Sequence, residues 1–167
     1  MKKFIIFCLS LCFLLSCSNS KVDNSVVKEF DMERFTGDWY EIARFDHHFE
    51  HGMDYVKSNF VIDKDGSIIM TNYGIREGQM KMARGIAKQT DTPGLLDVTM
   101  WKLVFADYRV MLLDENYQYA LVSSGGEKCL WLLARTPQVS DEAKDILTQE
   151  AERRGYDVAK LIWIKQK

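Results

Sequence analysis

The sequence of 167 residues is poor in the features that mark several protein classes. It contains only two prolines, Pro93 and Pro137, and neither divides the chain into domains. Lys and Arg number 22 against 24 Asp and Glu, so there is no basic excess of the kind that nucleic-acid binding requires. There is no internal repeat, glycine-rich phosphate loop, nucleophile elbow or Cys-x-x-Cys pair. Nothing in the composition indicates a nucleic-acid partner or a cofactor.

Long apolar runs are also scarce. The one such run, residues 4–15, is too short to cross a bilayer, which needs roughly 20 residues. It follows Lys2 and Lys3 and precedes small residues, which is the layout of a secretory signal. A buried N-terminal helix is the alternative, but such a helix would need a polar face, and only Ser10 interrupts the run.

The run ends in Leu14-Leu15-Ser16-Cys17, which resembles the lipobox of bacterial lipoproteins. The resemblance implies that the thiol of Cys17 is acylated and that the chain is cut just before it. Two or more acyl chains anchor a protein stably, at about 0.8 kcal/mol per buried CH₂ group. We therefore expect a signal peptide at 1–16, a flexible lipidated tether at 17–28 and a folded domain at 29–167.

The chain is poor in usable cysteine as well. Four cysteines in an exported chain would suggest two disulfides. However, Cys8 and Cys12 lie in the expected signal, and Cys17 would be acylated. Only Cys129 is left in the folded domain, so the domain is expected to fold without a disulfide.

What the chain has in quantity is strand-like patterning. Apolar residues alternate with polar ones, or run for strand lengths, between turns such as Asp65-Gly66 and Gly125-Gly126. Short sequential strands with tight turns predict an antiparallel meander, folded as a sandwich or, somewhat better, as a closed barrel. Eight strands are predicted, at residues 39–45, 54–62, 67–73, 79–89, 95–104, 108–113, 117–123 and 129–135.

One helix is predicted after the eighth strand. Ser140 is a typical N-cap, Asp141 and Glu142 favour the first turn, and Gly155 supplies a left-handed stop. A short final strand follows at 158–164. The apolar stripe that should pack on the barrel wall consists of Ala143, Ile146, Leu147 and Ala151.

Three ordered motifs resemble those of the lipocalin family. Gly37-Asp38-Trp39 is similar to its glycine-any-tryptophan signature, 114–117 loosely resembles its second region, and Arg135-Thr136-Pro137 its third. Residues 45–50 and 161–164 resemble bacterial outer-membrane members. The resemblance implies an all-β fold: an eight-stranded antiparallel up-and-down β-barrel with a C-terminal α-helix and a short final strand. It also implies that Trp39 plugs the narrow end under Arg135, in a cation–π contact, and that Gly37 permits the tight entry into the strand.

The resemblance further implies an outer-membrane protein that binds a fatty acid, such as palmitate, or a lysophospholipid, in lipid transport or envelope maintenance. A homodimer is left open, as are haem, a sterol or a retinoid as ligands. Alternation of side chains, together with the resemblance for Ala83 and Ala87, predicts which residues face the ligand. These are Ala43, Ala83, Ala87, Val98, Met100, Tyr108, Val110, Leu112, Trp131 and Leu133.

Two kinds of chemistry compete with simple binding. His47, His48 and His51 are conceivable metal ligands, but adjacent histidines on a strand point to opposite faces, so a polar loop is favoured and no metal is expected. Cys129 shares the parity of Trp131, so its thiol would face the cavity of a lipid-modifying enzyme. A lone buried cysteine is usually a small hydrophobe, and we expect no enzyme. A surface domain without a ligand is the third reading.

Overall fold

The computed structural model describes residues 21–100 and 104–166, so the expected signal peptide and Cys17 lie outside the described residues. The strand segments predicted from alternation are present, with ends that differ by up to four residues. The strands are β1 Gly37–Phe45, β2 Asp54–Ile62, β3 Ile68–Arg76, β4 Gln79–Gln89, β5 Leu95–Met100, β6 Val104–Leu113, β7 Tyr119–Ser124 and β8 Cys129–Ala134.

The strands close on themselves. Each strand from β2 to β7 pairs antiparallel with the next one in the chain, and β1 pairs with both β8 and β2. Tyr40 at the middle of β1 lies opposite Ala134 on one side and Lys57 on the other. Closure removes the sheet edges that a sandwich would expose. The predicted eight-stranded up-and-down barrel is confirmed.

Two helices flank the barrel. The short α1, Met32–Phe35, is capped by the Asp31 carboxylate, which accepts hydrogen bonds from two backbone N–H groups. Its length of four residues gave no periodic pattern to predict it from. The predicted C-terminal helix is α2, Asp141–Arg153, and Ser140 caps it by accepting from the Ala143 N–H. Among residues 21–100 and 104–166, no helix has the length and hydropathy to cross a membrane.

The end of the chain differs in detail from the predicted strand at 158–164. A 3₁₀ turn, Val158–Lys160, comes first, and the last strand is the three-residue β9, Leu161–Trp163. It pairs antiparallel with the end of β1, so that Leu161 lies opposite Phe45. The short final strand is therefore present, and it extends the barrel wall beside β1.

Apolar side chains pack in two layers, one inside the barrel and one under α2. The inner layer centres on Phe35, Trp39 and Phe60, which are fully buried. The outer layer joins Leu147 of α2 to the outward faces of β7 and β8. Ile146 of the predicted helix stripe is an exception, since it is 38% exposed.

The segment before the barrel corrects one expectation. The flexible tether predicted at 17–28 does not hold for residues 21–28, the part of it that the structure describes. The Asp23 N–H donates to the Arg154 carbonyl at 2.8 Å, and the Val27 N–H donates to the Val110 carbonyl at 3.0 Å. Val22 is buried in the layer under α2. Polar composition suggested a tether, but backbone hydrogen bonds do not depend on side-chain polarity, and they hold this segment on the barrel.

Candidate ligand-binding site

The narrow end of the barrel is closed by the three predicted motif residues. The Arg135 guanidinium lies 3.9 Å from the centre of the Trp39 ring, and it donates to the Thr36 carbonyl at 2.7 Å. Gly37 has a φ of +93°, and a Cβ there would lie 3.3 Å from Arg135 Nη1, so glycine is the residue that fits. The predicted cation–π contact is present, and these residues hold the fold closed.

A cavity of about 460 Å³ occupies the opposite end, where the β1–β2, β3–β4 and β7–β8 connections surround its mouth. The volume lies within the roughly 300–1,000 Å³ typical of small-molecule sites. Most of its wall is apolar, and methionines make up a large part of it. The apolar lining residues are Phe49, Met53, Val56, Met70, Met82, Ala83, Val98, Met100, Ala106, Tyr108, Trp131 and Leu133.

The structure brings six of the ten predicted ligand residues to this wall. They are Ala83, Val98, Met100, Tyr108, Trp131 and Leu133. Two more, Ala87 and Val110, face inward but belong to the packed layer around Trp39 below the cavity. Alternation therefore predicted correctly that both side chains face the barrel interior. It could not show how far along the barrel the packed core extends before the cavity begins.

The inward placement predicted for Ala43 and Leu112 is wrong. Both residues pack on the outside of the barrel, in the layer under α2. The β1–β8 register shifts between Glu41 and Ala43, and the β6–β7 register shifts between Val110 and Leu112. A β-bulge inserts an extra residue, and every side chain beyond it changes face. In β1, the shift places Arg44 where Ala43 was expected.

Sequence reasoning missed most of the lining from β2 and β3. Alternation places Val56 and Ser58 on one face of β2, and Met70 and Asn72 on one face of β3, so period two was the signal that would have found them. The loop residues Phe49, Glu50 and Met53 carried no such signal. Their places follow from the path of the β1–β2 loop over the mouth.

A buried charge cluster lies beside the cavity. Arg44 is fully buried, and its Nη1 lies 3.4 Å from Glu41 Oε2 while its Nε lies 3.7 Å from Glu50 Oε2. Its Nη2 also donates to the Glu50 carbonyl at 2.5 Å. The indole N–H of Trp131 donates to Glu50 Oε2 at 3.2 Å. His47 Nε2 lies 3.3 Å from the same oxygen.

The two carboxyl groups cannot both be ionised cheaply on a single guanidinium. Burial raises the pKa of Glu41 well above its usual range, and the charge of Glu50 raises it further. Burial also raises the pKa of Glu50, but the Trp131 hydrogen bond and the charge of Arg44 oppose that shift. The upward shift of the pKa is larger for Glu41, so Glu41 keeps its proton to a higher pH than Glu50 does.

Three residues of the cavity wall each have a buried polar atom with no hydrogen-bond partner in the described part of the chain: Asn72 at Oδ1, Arg76 at Nε and Tyr108 at its hydroxyl. The Tyr108 hydroxyl is buried and makes no hydrogen bond to any described residue. Burial and the charges of Glu41 and Glu50 raise its pKa, so it stays a neutral donor. A polar group of a ligand, or water, is what such a hydroxyl needs as an acceptor.

The three histidines do not converge. His47 is buried against Phe49 and Trp131, and burial together with the charge of Arg44 lowers its pKa to about 4. His51 points outward and pairs with Asp46 at 2.7 Å. Within residues 21–100 and 104–166, no group of three or more His, Cys, Asp or Glu side chains is arranged to hold a metal ion.

The Cys129 thiol lines the cavity, as its parity with Trp131 predicted. It is half-buried and unpaired with another cysteine. Burial and the charge of Glu50 raise its pKa, against a smaller opposing effect of Lys128. A nucleophilic thiol needs the opposite shift, toward the thiolate.

Comparison with known proteins gives matches that agree with the barrel fold. The family model described as a lipocalin-like domain matches residues 30–166. The chain is 39% identical over 146 residues to the outer membrane lipoprotein Blc of Escherichia coli K12, covering 85% of this chain and 82% of that one. It is 36% identical to Blc of Vibrio cholerae, covering 98% and 97% of the two chains. The names of these relatives agree with the predicted outer-membrane localisation.

Solved structures support the fold independently. Insecticyanin from the tobacco hornworm Manduca sexta superposes with a TM-score of 0.73 at 17% identity, over 87% of this chain and 85% of that one. At that identity the likeness concerns the fold alone. Together with the family match over most of the sequence, it shows that this chain belongs to the lipocalin family.

Proposed function

We propose that the protein is a lipid-anchored binding protein that holds one acyl-chain lipid, a fatty acid or a lysophospholipid, in its barrel. The observation that carries the proposal is the cavity of about 460 Å³ with a largely apolar wall. Membership of the lipocalin family supports a small hydrophobic ligand, and it supports a binding protein over an enzyme. Transport or maintenance of envelope lipid is the role that such a ligand suggests.

The character of the wall favours a flexible chain as the ligand. Four methionines, Met53, Met70, Met82 and Met100, line the cavity, and methionine adapts its shape to an irregular apolar guest. The basic side chains of Arg76 and Lys81 also line it, on the strands that meet at the β3–β4 turn beside the mouth. A lipid with an anionic headgroup near these two basic side chains, and with its tail toward Val98 and Leu133, would match both the charged rim and the apolar wall.

Trp131 and Cys129 together distinguish binding from catalysis. Trp131→Phe should weaken the affinity for a fluorescent fatty acid, because it removes apolar contact area from the cavity wall. It also removes the N–H donor to Glu50, so a stability loss of about 1–3 kcal/mol should accompany it. Cys129→Ser should leave the affinity nearly unchanged. Fluorescence titration of both variants, with unfolding curves beside it, measures these effects.

The thiol-enzyme alternative makes a different prediction for the same pair. It requires that lipid recovered from the wild-type protein be chemically altered and that lipid from Cys129→Ser be intact. Mass spectrometry of the extracted lipid reads this directly. Altered lipid that depends on Cys129 would contradict the proposal, whereas identical lipid from both proteins supports it.

The anchor is a separate part of the proposal, since Cys17 lies outside the described residues. Cys17→Ala should abolish incorporation of a labelled palmitate and release the protein from membranes, because no other cysteine follows an apolar run in a lipobox-like context. Cys12→Ala is the matched control and should keep the label. A labelled, membrane-bound Cys17→Ala protein would refute the anchor. The homodimer stays a prediction.

A further inference from the structure

The first described residues lie near one side of the cavity mouth. Lys21 and Val22 lie against Gly155, just beyond the end of α2. The next residue, Tyr156, donates from its hydroxyl to the carbonyl of Gly126, in the β7–β8 turn. That turn joins Ser124 to Cys129, and both of these line the cavity. Lys21 therefore lies on the side of the barrel that carries the β7–β8 rim.

The path of the chain after Lys21 agrees with this placement. From Lys21 the chain runs down the barrel, where Val27 bonds to Val110 and packs beside Gly94 in the β4–β5 turn at the closed end. Phe30 then packs on Phe35 across the closed end. Lys21 is thus far from the closed end and close to the mouth.

The link between this point and the anchor is short. Three residues separate Lys21 from Cys17, and the four extended Cα-to-Cα steps between the two reach at most about 14 Å. This step rests on the proposed acylation of Cys17. With acyl chains in the bilayer, Lys21 lies within about that distance of the lipid surface. A barrel standing on its closed end would instead turn the side of Lys21 away from the lipid, and the ten residues of β6 extend about 33 Å along the strand between the two ends.

The far side of the mouth exposes apolar side chains. Met80 is 75% exposed and Met82 is 66% exposed, both on β4 where it leaves the β3–β4 turn. Phe49 is 43% exposed on the β1–β2 loop, and its carbonyl accepts a hydrogen bond from Arg76 at the end of β3. In the strand order, β3 and β4 lie across the barrel from β7. Lys21 and this apolar rim therefore flank the mouth on opposite sides.

We propose that the mouth of the barrel docks on the surface of the bilayer that holds the anchor, with Phe49, Met80 and Met82 in contact with the lipid. A sideways orientation would bring only one of the two flanking features to the membrane, whereas a mouth-down orientation brings both. The cavity then opens toward lipid, and an acyl chain passes between the bilayer and the barrel without crossing water. The docked bilayer would then be the source of the ligand.

Lipid-borne quenching tests the orientation in the full acylated protein. With Cys129→Ser as background, Met80→Cys and Lys64→Cys each provide one thiol for a fluorophore, at the mouth and at the β2–β3 turn of the closed end. The proteins are placed in vesicles of phosphatidylethanolamine and phosphatidylglycerol that contain a nitroxide-labelled lipid. We expect fluorescence to be lost at position 80 and kept at position 64. Quenching at 64, or at neither position, would overturn the proposal.

A second pair of variants uses function instead of a label. Met80→Ser should slow the transfer of a fluorescent acyl lipid from vesicles to the protein, and Val61→Ser, an exposed apolar residue near the closed end of β2, should not. Equal rates for the two variants would count against the docked mouth. Fluorescence at position 80 that changes with protein concentration and ignores the quencher would mean that a second copy covers the rim, which also overturns it.

Failure of the anchor is seen separately. The intact mass of the purified protein shows whether Cys17 carries acyl chains before any vesicle is added. A protein without them refutes the anchor itself, and an acylated protein with an unquenched rim refutes only the docking.

Discussion

Replacement of Arg44 by leucine is expected to lower the free energy of unfolding by about 3–5 kcal/mol, because it leaves the buried Glu50 carboxylate without its cation. The side chain also donates to the Glu50 carbonyl, which would lose that bond inside the protein. Arg153→Leu is the matched control, since Arg153 pairs with Glu150 but is 62% exposed. Its replacement should cost much less stability, because an exposed ion pair is weakened by water and salt. Similar losses of stability in the two variants would show that breaking the buried pair is no more destabilising than breaking an exposed one.

The loss at Arg44 should also depend on pH. Since the pKa of Glu41 is raised in the folded protein, the folded state keeps a proton that the unfolded chain releases above the ordinary value of 4.5. The stability from this group is full below that pH and falls as the pH rises. Without Arg44, the pKa of Glu50 rises as well, so the variant should lose stability more steeply with pH. Urea unfolding of the wild-type protein and of the Arg44 variant, at acidic and at neutral pH, measures this difference in stability. A loss that is the same at both pH values would contradict the raised pKa of the buried carboxyl groups.

Trp39→Ala is expected to cost about 3–5 kcal/mol, the range for truncating a buried large aromatic residue. Trp39 is fully buried, its ring lies 4.8 Å from that of Phe35, and its N–H donates to the Phe35 carbonyl at 2.9 Å. The substitution also removes the surface under Arg135. For a chain of this size the melting temperature should fall by roughly 2–4 °C per kcal/mol.

Trp163→Ala is the control for the tryptophan prediction. Trp163 lies on β9 and is 55% exposed, so its truncation should lower the free energy of unfolding by less than about 1 kcal/mol. Thermal unfolding followed by circular dichroism compares the two. If both variants melt together, the closed end is not held by Trp39 in the way the contacts indicate.

The sequence predicted the strands and the C-terminal helix correctly because each depends on local rules, whereas the closed end under Arg135 was implied by the resemblance to lipocalins. Period-two alternation located the strands, and Ser140 with its acidic followers located α2. The bulges at Glu41 and Val110 followed no local rule, since each depends on how two distant strands fit across the barrel. Their effect was to misplace Ala43 and Leu112 while leaving Trp131 and Leu133 correctly inside.

The charge cluster was beyond sequence reasoning for a related reason. No motif links Glu41, Arg44 and Glu50 in the sequence, and only the bulge in β1 turns Arg44 inward to meet both carboxyl groups. The docking of residues 21–28 likewise depends on partners far along the chain, such as Arg154 and Val110. Contacts between segments a hundred residues apart leave no periodic trace in either segment.

The claim that the cavity holds an acyl-chain lipid is tested most directly by native mass spectrometry of the acylated protein purified from the membranes of cells that make it. We predict one non-covalent fatty acid or lysophospholipid per protein, lost on denaturation, in addition to the chains on Cys17. The cavity of about 460 Å³ and its methionine-rich wall suit such a guest. A protein that carries no lipid, and that binds no fluorescent fatty acid when titrated, would contradict the account.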